Sequence, residues 1–352
     1  MDKGTRSRGR YLRTMRATPL VLVALLLVHP ALAQFEKLEA RSRAALAADK
    51  PYKALTFTER ALTRKGAPPH FHLIRAEAFN RIGEYGRALE ELNKVPELRH
   101  DPEYRTDLIG SLTGSARIDS ALSLIQPTIP SGASAEYLYR AGRVLVLRDR
   151  WSEALEHFDA GVMKEPGSPR MYRERGACHA MLGEHDKAKA DLDEAVRLAP
   201  RDASNYNSRG YYLHMQHGDH RSAIADLDRA IKQDPNYGFA FSNRGWCWFQ
   251  IGDTAKALRD LRLAVRKTPS NSYAFRNLGI VELAMGDQEK GCADLRLALN
   301  LGFTDRYGKE VQERVERDCS GASAPMPTPV SSPLNAPGNN APEAPKGRTN
   351  AP

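Results

Sequence analysis

Three histidines, His214, His217 and His220, follow one another at i, i+3 and i+6, with Asp219 beside the last. Two imidazoles one helical turn apart share a face and can chelate a transition metal, so a metal-dependent enzyme would use this cluster. A polar helix end with solvated rings explains the same residues, and the turn glycine Gly218 puts His220 beyond the helix, so the three need not converge. His70 and His72 are a weaker case of the same kind. Arg175, Arg209 and Arg244 each precede a glycine, and aspartates recur at Asp191, Asp226, Asp260 and Asp294. An active site does not recur at one phase along a chain. An ion pair between helices does, within a unit or between neighbours, holding register at about 0 to 1 kcal/mol each. No phosphate-cradling glycine-rich loop, G-x-S-x-G, H-E-x-x-H or C-x-x-C occurs, so no motif supports catalysis and no metal or cofactor is assigned.

The elements that would position these residues belong to a chain of 352 residues with 52 Lys plus Arg and 43 Asp plus Glu, a formal charge of +9. Such a balance first suggests a nucleic-acid or membrane-surface binder. Its location says otherwise: Lys3, Arg6, Arg8, Arg10, Arg13 and Arg16 against Asp2 put +5 into the first 16 residues, leaving an ordinary +4 for the rest. No nucleic-acid partner is expected. With 41% apolar and 27% charged residues, neither a multi-span membrane protein nor wholesale disorder fits.

Both ends differ from the middle. Behind the basic stretch, residues 20–28 form an apolar run of nine, far short of the roughly 20 needed to cross a bilayer. Ala31-Leu32-Ala33-Gln34 then offers small side chains at the two positions a signal peptidase reads, so residues 1–33 read as a cleaved signal peptide and the mature chain begins at Gln34. No cysteine follows Ala33, which argues against a lipid anchor, and no stable membrane insertion is expected after cleavage. The expected location is periplasmic or secreted. Residues 320–352 hold 8 prolines in 33 positions, a composition that cannot bury enough apolar area to offset its ordering entropy. They read as a disordered Pro/Ala-rich spacer.

Between the ends runs a period of 34 residues. Ala54, Ala88, Ala121, Ala154, Ala188, Ala223 and Ala257, continued by Gly291, are separated by steps of 34, 33, 33, 34, 35, 34 and 34. Gly142, Gly176, Gly210, Gly245 and Gly279 form a second series, and Pro166, Pro200, Pro235 and Pro269 a third. Each unit carries two helical blocks; in one of them Ala188, Leu192 and Ala195 share a face at i, i+4 and i+7. Gly176 and Ala188 are small where the two helices cross, and Pro200 stops the second. Each unit is therefore an antiparallel helical hairpin that cannot bury its apolar face alone, so hairpins stack into a curved rod.

The pattern resembles the tetratricopeptide repeat family. The unit 169–202 matches at Tyr172, Gly176, Ala188, Leu192, Ala195 and Pro200, the next at Tyr206, Gly210, Ala223, Leu227, Ala230 and Pro235. A third matches at Phe241, Gly245, Trp248, Ala257, Leu261, Ala264 and Pro269, and the last at Phe275, Gly279, Leu295 and Ala298, with Gly291 in place of alanine. The resemblance implies an all-α fold: a right-handed superhelix, or solenoid, of about eight repeats. Residues 34–134 hold degenerate repeats, 135–303 well-matched ones, and 304–319 a capping helix.

Cys178 and Cys247 occupy one repeat position two units apart, too far to bridge, and read as buried thiols. Cys292 begins the last second helix and Cys319 ends the cap, so an antiparallel pair could join them; exported tetratricopeptide proteins with a similar final repeat look the same. In this family the first helices line a concave groove. Carried over position by position, the groove residues are Tyr139, Arg143, Arg173, Asn207, Tyr211, His214, Asn243, Trp246, Phe249, Arg276 and Asn277. Asn243 and Asn277 resemble amides that hold an extended peptide backbone. The expected function is a non-catalytic exported scaffold binding a partner protein or peptide in that groove, in envelope assembly. A polysaccharide or cell-wall strand stacked on the same aromatics is the alternative, and a metal-dependent enzyme using the 214–220 histidines the third.

Overall fold

The computed structural model describes residues 19–319; the basic N-terminal stretch and the proline-rich tail lie outside the described residues. Eight hairpins follow one another among them. The first four pair α1 (Pro19–Ala47) with α2 (Pro51–Leu62), α3 (His70–Arg81) with α4 (Tyr85–Asn93), α5 (Pro102–Gly114) with α6 (Ile118–Leu122), and α7 (Ala135–Val146) with α8 (Trp151–Lys164). The next is α9 (Pro169–Met181) with α10 (His185–Leu198). In the sixth, α11 (Ala203–Arg209) continues through a π turn, Gly210–His214, and a 3-10 turn, Met215–His217, before α12 (His220–Gln233). Then come α13 (Gly238–Gln250) with α14 (Thr254–Lys267), α15 (Ser272–Ala284) with α16 (Gln288–Asn300), and the end pieces α17 (Phe303–Tyr307) and α18 (Glu310–Asp318).

The period in sequence is the period of the core. Ala188, Leu192 and Ala195 are fully buried, as are Ala223, Leu227 and Ala230, and Ala257, Leu261 and Ala264. Helices cross most closely at the repeat glycines: a Cβ at Gly176 would lie 2.9 Å from Leu192 Cγ, and one at Gly245 2.8 Å from Leu261 Cγ. The last hairpin closes further. A Cβ at Gly279 would meet the Gly291 carbonyl oxygen at 2.7 Å, and one at Gly291 would meet the Gly279 oxygen at 2.9 Å, which is why glycine stands in the alanine series there.

Two irregularities have local causes. The sixth unit is one residue longer than its neighbours, and the π turn absorbs that residue without breaking the helix, as single-turn π bulges do. Here the crossing is looser, with a Cβ at Gly210 3.3 Å from the Ala223 oxygen. In the third unit α6 has only 5 residues and ends at Leu122, and Pro127, which lacks a backbone donor and disfavours helix at residue 126, keeps it from resuming. A loop of residues 123–134 replaces the rest of that second helix.

A disulfide joins Cys292 to Cys319 across a Cα–Cα distance of 5.7 Å and fastens α18 to α16. Cys178 and Cys247 are free and buried. Burial pushes both thiols up, Cys247 to about 12, so neither is a reactive thiolate at neutral pH.

Candidate functional site

The inner face is built by the first helices of successive hairpins. The Arg–Asp series forms a lattice beside it. Arg175 donates from Nε and Nη2 to Asp191 at 2.7 Å each, Arg209 to Asp226 at 2.8 and 2.7 Å, and Arg244 to Asp260 at 2.7 and 2.9 Å. The remaining nitrogen of each fork reaches back one hairpin, to Asp159 at 3.1 Å, Asp193 at 2.8 Å and Asp228 at 2.6 Å. Both alternatives, within a unit and between neighbours, are therefore realised by one guanidinium, whose planar fork can serve two carboxylates.

The asparagines take part in a second ladder. Asn243 Nδ2 donates to Asn207 Oδ1 at 3.0 Å, and Asn277 Nδ2 to Ser242 Oγ at 3.3 Å, each bond joining consecutive first helices. Asn207, Asn243 and Asn277 are buried, as are Tyr211 and Arg173. Arg173 donates to Asn205 Oδ1 at 3.1 Å and Asp202 at 3.4 Å, and Arg143 to Glu174 at 3.0 Å. Burial works against the charge on Arg143 and Arg173, but Glu174 between them, together with the further groups around each, outweighs it, and the pKa of both is raised. The amides expected to grip a peptide backbone thus hold neighbouring repeats together, although Asn207 Nδ2 has no hydrogen-bond partner.

The half-buried members of the groove set are Tyr139, Arg143, His214, Trp246, Phe249 and Arg276. Three of them form one aromatic-cationic patch. The Trp246 and Phe249 rings lie 5.7 Å apart, and the Arg276 guanidinium sits 4.7 Å over Trp246 and 5.6 Å over Tyr273. Arg276 also bonds Glu310 at the start of α18 through Nε at 3.1 Å and Nη2 at 2.7 Å. Tyr139, at the other end, carries the Arg170 guanidinium 4.5 Å over its ring.

The three histidines have separate surroundings. His214 lies 3.8 Å from Asp219 and 3.7 Å from Asp226. His217 meets His185 edge-on with ring centroids 4.5 Å apart, and burial together with the two nearby histidines holds it below its ordinary range. His220 has a buried Nδ1 without a partner. Among the described residues no group of three or more His, Cys, Asp or Glu side chains is placed to hold a metal ion.

Sequence reasoning missed Glu174, Asn205, Ser242 and Glu310. One signal was available: Glu310 lies one repeat period beyond Arg276, so extending the period into the cap finds it.

Stacked hairpins, a double polar ladder and an aromatic-cationic patch on consecutive first helices define a helical-repeat solenoid. Residues 117–203 and 212–291 match the family model described as tetratricopeptide repeat, and the chain is a tetratricopeptide repeat protein. It is similar to the Hsp70-Hsp90 organizing protein of Triticum aestivum, 24% identical over 151 residues, 43% of this chain and 24% of that protein. It is also 24% identical over 154 residues to Hsp70-Hsp90 organizing protein 3 of Arabidopsis thaliana, again 43% of this chain, 25% of the relative. The matched stretch thus spans about a quarter of the length of these curated relatives. Two solved structures share the fold: Cut9 with Hcn1 from the APC/C, with a TM-score of 0.59 and 13% identity over 81% of this chain and 55% of the other, and yeast Tom70, with a TM-score of 0.53 and 15% identity over 77% and 59%.

Proposed function

We propose that this tetratricopeptide repeat protein is a non-catalytic scaffold for protein–protein interaction, holding a partner protein or extended peptide in its concave groove. The observation that carries the reading is the half-buried patch of Trp246, Phe249 and Arg276 on consecutive first helices. Aromatic and arginine side chains dominate the energetics of protein interfaces because they add rigid contact area with a polar handle. The names of the curated relatives, organizers of Hsp70 and Hsp90, support the same class of role.

The reading extends to an exported protein acting in envelope assembly, with cleavage between Ala33 and Gln34. The basic stretch, apolar run and A-x-A site support it. Among the side chains described from Leu32 onward, Phe35 is the first that is buried, so removal of residues 1–33 costs none of those buried contacts. No helix among the described residues is long and apolar enough to cross a membrane.

A photo-crosslinking amino acid at Phe249, in protein expressed with its own N-terminus and recovered from the cell envelope, tests both parts. The expected result is a chain whose mass begins at Gln34 and a crosslink to a discrete polypeptide. A retained residue 1–33 segment overturns export by this route. Crosslinks confined to glycan overturn the protein partner in favour of a polysaccharide or cell-wall strand stacked on the same rings.

A further inference from the structure

A second cavity lies away from the groove, where the shortened third unit meets the first well-matched one. It measures about 250 Å³ and is lined by Ile125, Gln126 and Pro127 of the 123–134 loop, Leu145 of α7, and Arg150, Glu153, Glu156 and His157 at the start of α8. α6 stops at Leu122, and the loop that replaces the rest of that second helix lines this space.

His157 is 5% exposed. Its Nδ1 lies 3.0 Å from the Glu153 carbonyl oxygen, which can only accept, so the ring proton sits on Nδ1. A ring carrying its single proton there keeps a lone pair on Nε2, and this buried atom has no partner among the described residues. A buried acceptor left unmade is costly unless something donates to it.

The charges around the cavity do not cancel. Arg150 is held by Glu153 through both carboxylate oxygens, which neutralises that pair. Glu156 has no cation partner among the described residues and stands exposed at the helix surface. Ile125, Pro127 and Leu145 add apolar surface to the lining of the same cavity. An acceptor, an uncompensated negative charge and apolar lining are what a protonated primary amine on an alkyl stem requires. A metal ion is not what they fit: among the described residues no three His, Cys, Asp or Glu side chains, these included, are placed to hold one.

We propose that this cavity is a binding site for a primary alkylammonium group, with His157 Nε2 accepting one N–H and Glu156 balancing the charge. The group arrives either on a free amine or as a lysine side chain of a polypeptide. The two sources share one chemistry.

The test uses the full chain with its histidines labelled for NMR at pH 8 and constant ionic strength. Of the 10 histidines, the His157 signal is assigned as the one missing in His157→Gln. Titrations use n-butylammonium chloride, tetramethylammonium chloride and a blocked Gly-Lys-Gly peptide. The expected result is a saturable shift of the His157 signal with butylammonium or the peptide, none with tetramethylammonium, which has no N–H, and affinity about tenfold weaker in Glu156→Gln. Glu156 is exposed, so unchanged signals from the other histidines show that the variant is folded. Tighter binding of the peptide than of butylammonium assigns the site to a lysine side chain, and the reverse to a free amine. No saturable shift with either, an equal response to tetramethylammonium, or unaltered affinity in Glu156→Gln overturns the proposal.

Discussion

Arg276 and Glu310 stand 34 residues apart, one repeat period, and are joined by hydrogen bonds of 3.1 and 2.7 Å. The cap therefore enters in the register of another first helix, and its leading carboxylate does for Arg276 what Asn243 does for Asn207. Arg276 is 13% exposed and Glu310 38%, so screening holds the pair to about 1 kcal/mol. Glu310→Gln is expected to speed amide exchange in α17 and α18 while leaving α9 and α10 unchanged. The charge-swapped double variant, Arg276→Glu with Glu310→Arg, should recover part of what either single change loses. Equal exchange in all four proteins would show that the pair contributes nothing.

Trp246 packs against the buried clusters on both sides of it while keeping part of its ring exposed. Trp246→Ala is therefore expected to weaken capture of the groove partner by about 2 kcal/mol and also to lower the melting temperature, because it removes packing as well as contact. Trp246→Phe separates the two effects: it should retain the fold and lose the indole donor. Arg276→Ala should weaken capture in a salt-dependent manner. Full capture by all three variants would move the site elsewhere.

The repeat architecture was legible because it is written in small residues. Ala188 and Gly176 must be small wherever helices cross, so a strict steric demand leaves a strict residue series. The Arg175–Asp191 lattice was legible for the same reason: it recurs at one phase. The bond from Asn243 to Asn207 was not, because an amide's type does not say which neighbouring side chain the stacking of first helices brings within reach. The extra residue of the sixth unit was visible as a step of 35, but its absorption at Gly210–His214 depends on which hydrogen bonds lengthen most cheaply. The short α6 left no mark in the repeat series, whose steps on either side of Ala121 are both 33, and the cavity above His157 follows from where the 123–134 loop comes to rest.

The Cys292–Cys319 bridge closes a loop of 27 residues, for which chain entropy gives about 3 to 4 kcal/mol. Thiol labelling of denatured, non-reduced protein should find two free cysteines, Cys178 and Cys247, and labelling of the native protein none, since both are buried. Cys292→Ser with Cys319→Ser is expected to release α18 first, seen as local proteolysis after Leu301, and to lower the melting temperature. Four labelled thiols in the denatured, non-reduced protein would refute the bridge.

Asp294 occupies the lattice position of Asp191, Asp226 and Asp260, but Leu278 stands where its arginine belongs. Its neighbour is instead Glu282, whose Oε1 accepts from Arg262 at 3.1 Å and whose buried carboxylate a protonated Asp294 can bond. Burial, and then the Glu282 charge, push Asp294 up to about 8 from an ordinary 3.8, with Arg262 opposing them. The sign follows from proton linkage. Between about pH 4 and 8 the folded chain holds a proton the unfolded chain has released, so rising pH lowers stability across that window and changes nothing further above it. Asp294→Asn removes the dependence, and its melting temperature should exceed that of the parent most at pH 8, by about 2 to 4 °C for each kcal/mol recovered. Melting curves of the two proteins that run parallel from pH 5 to 9 would show that Asp294 carries no such burden.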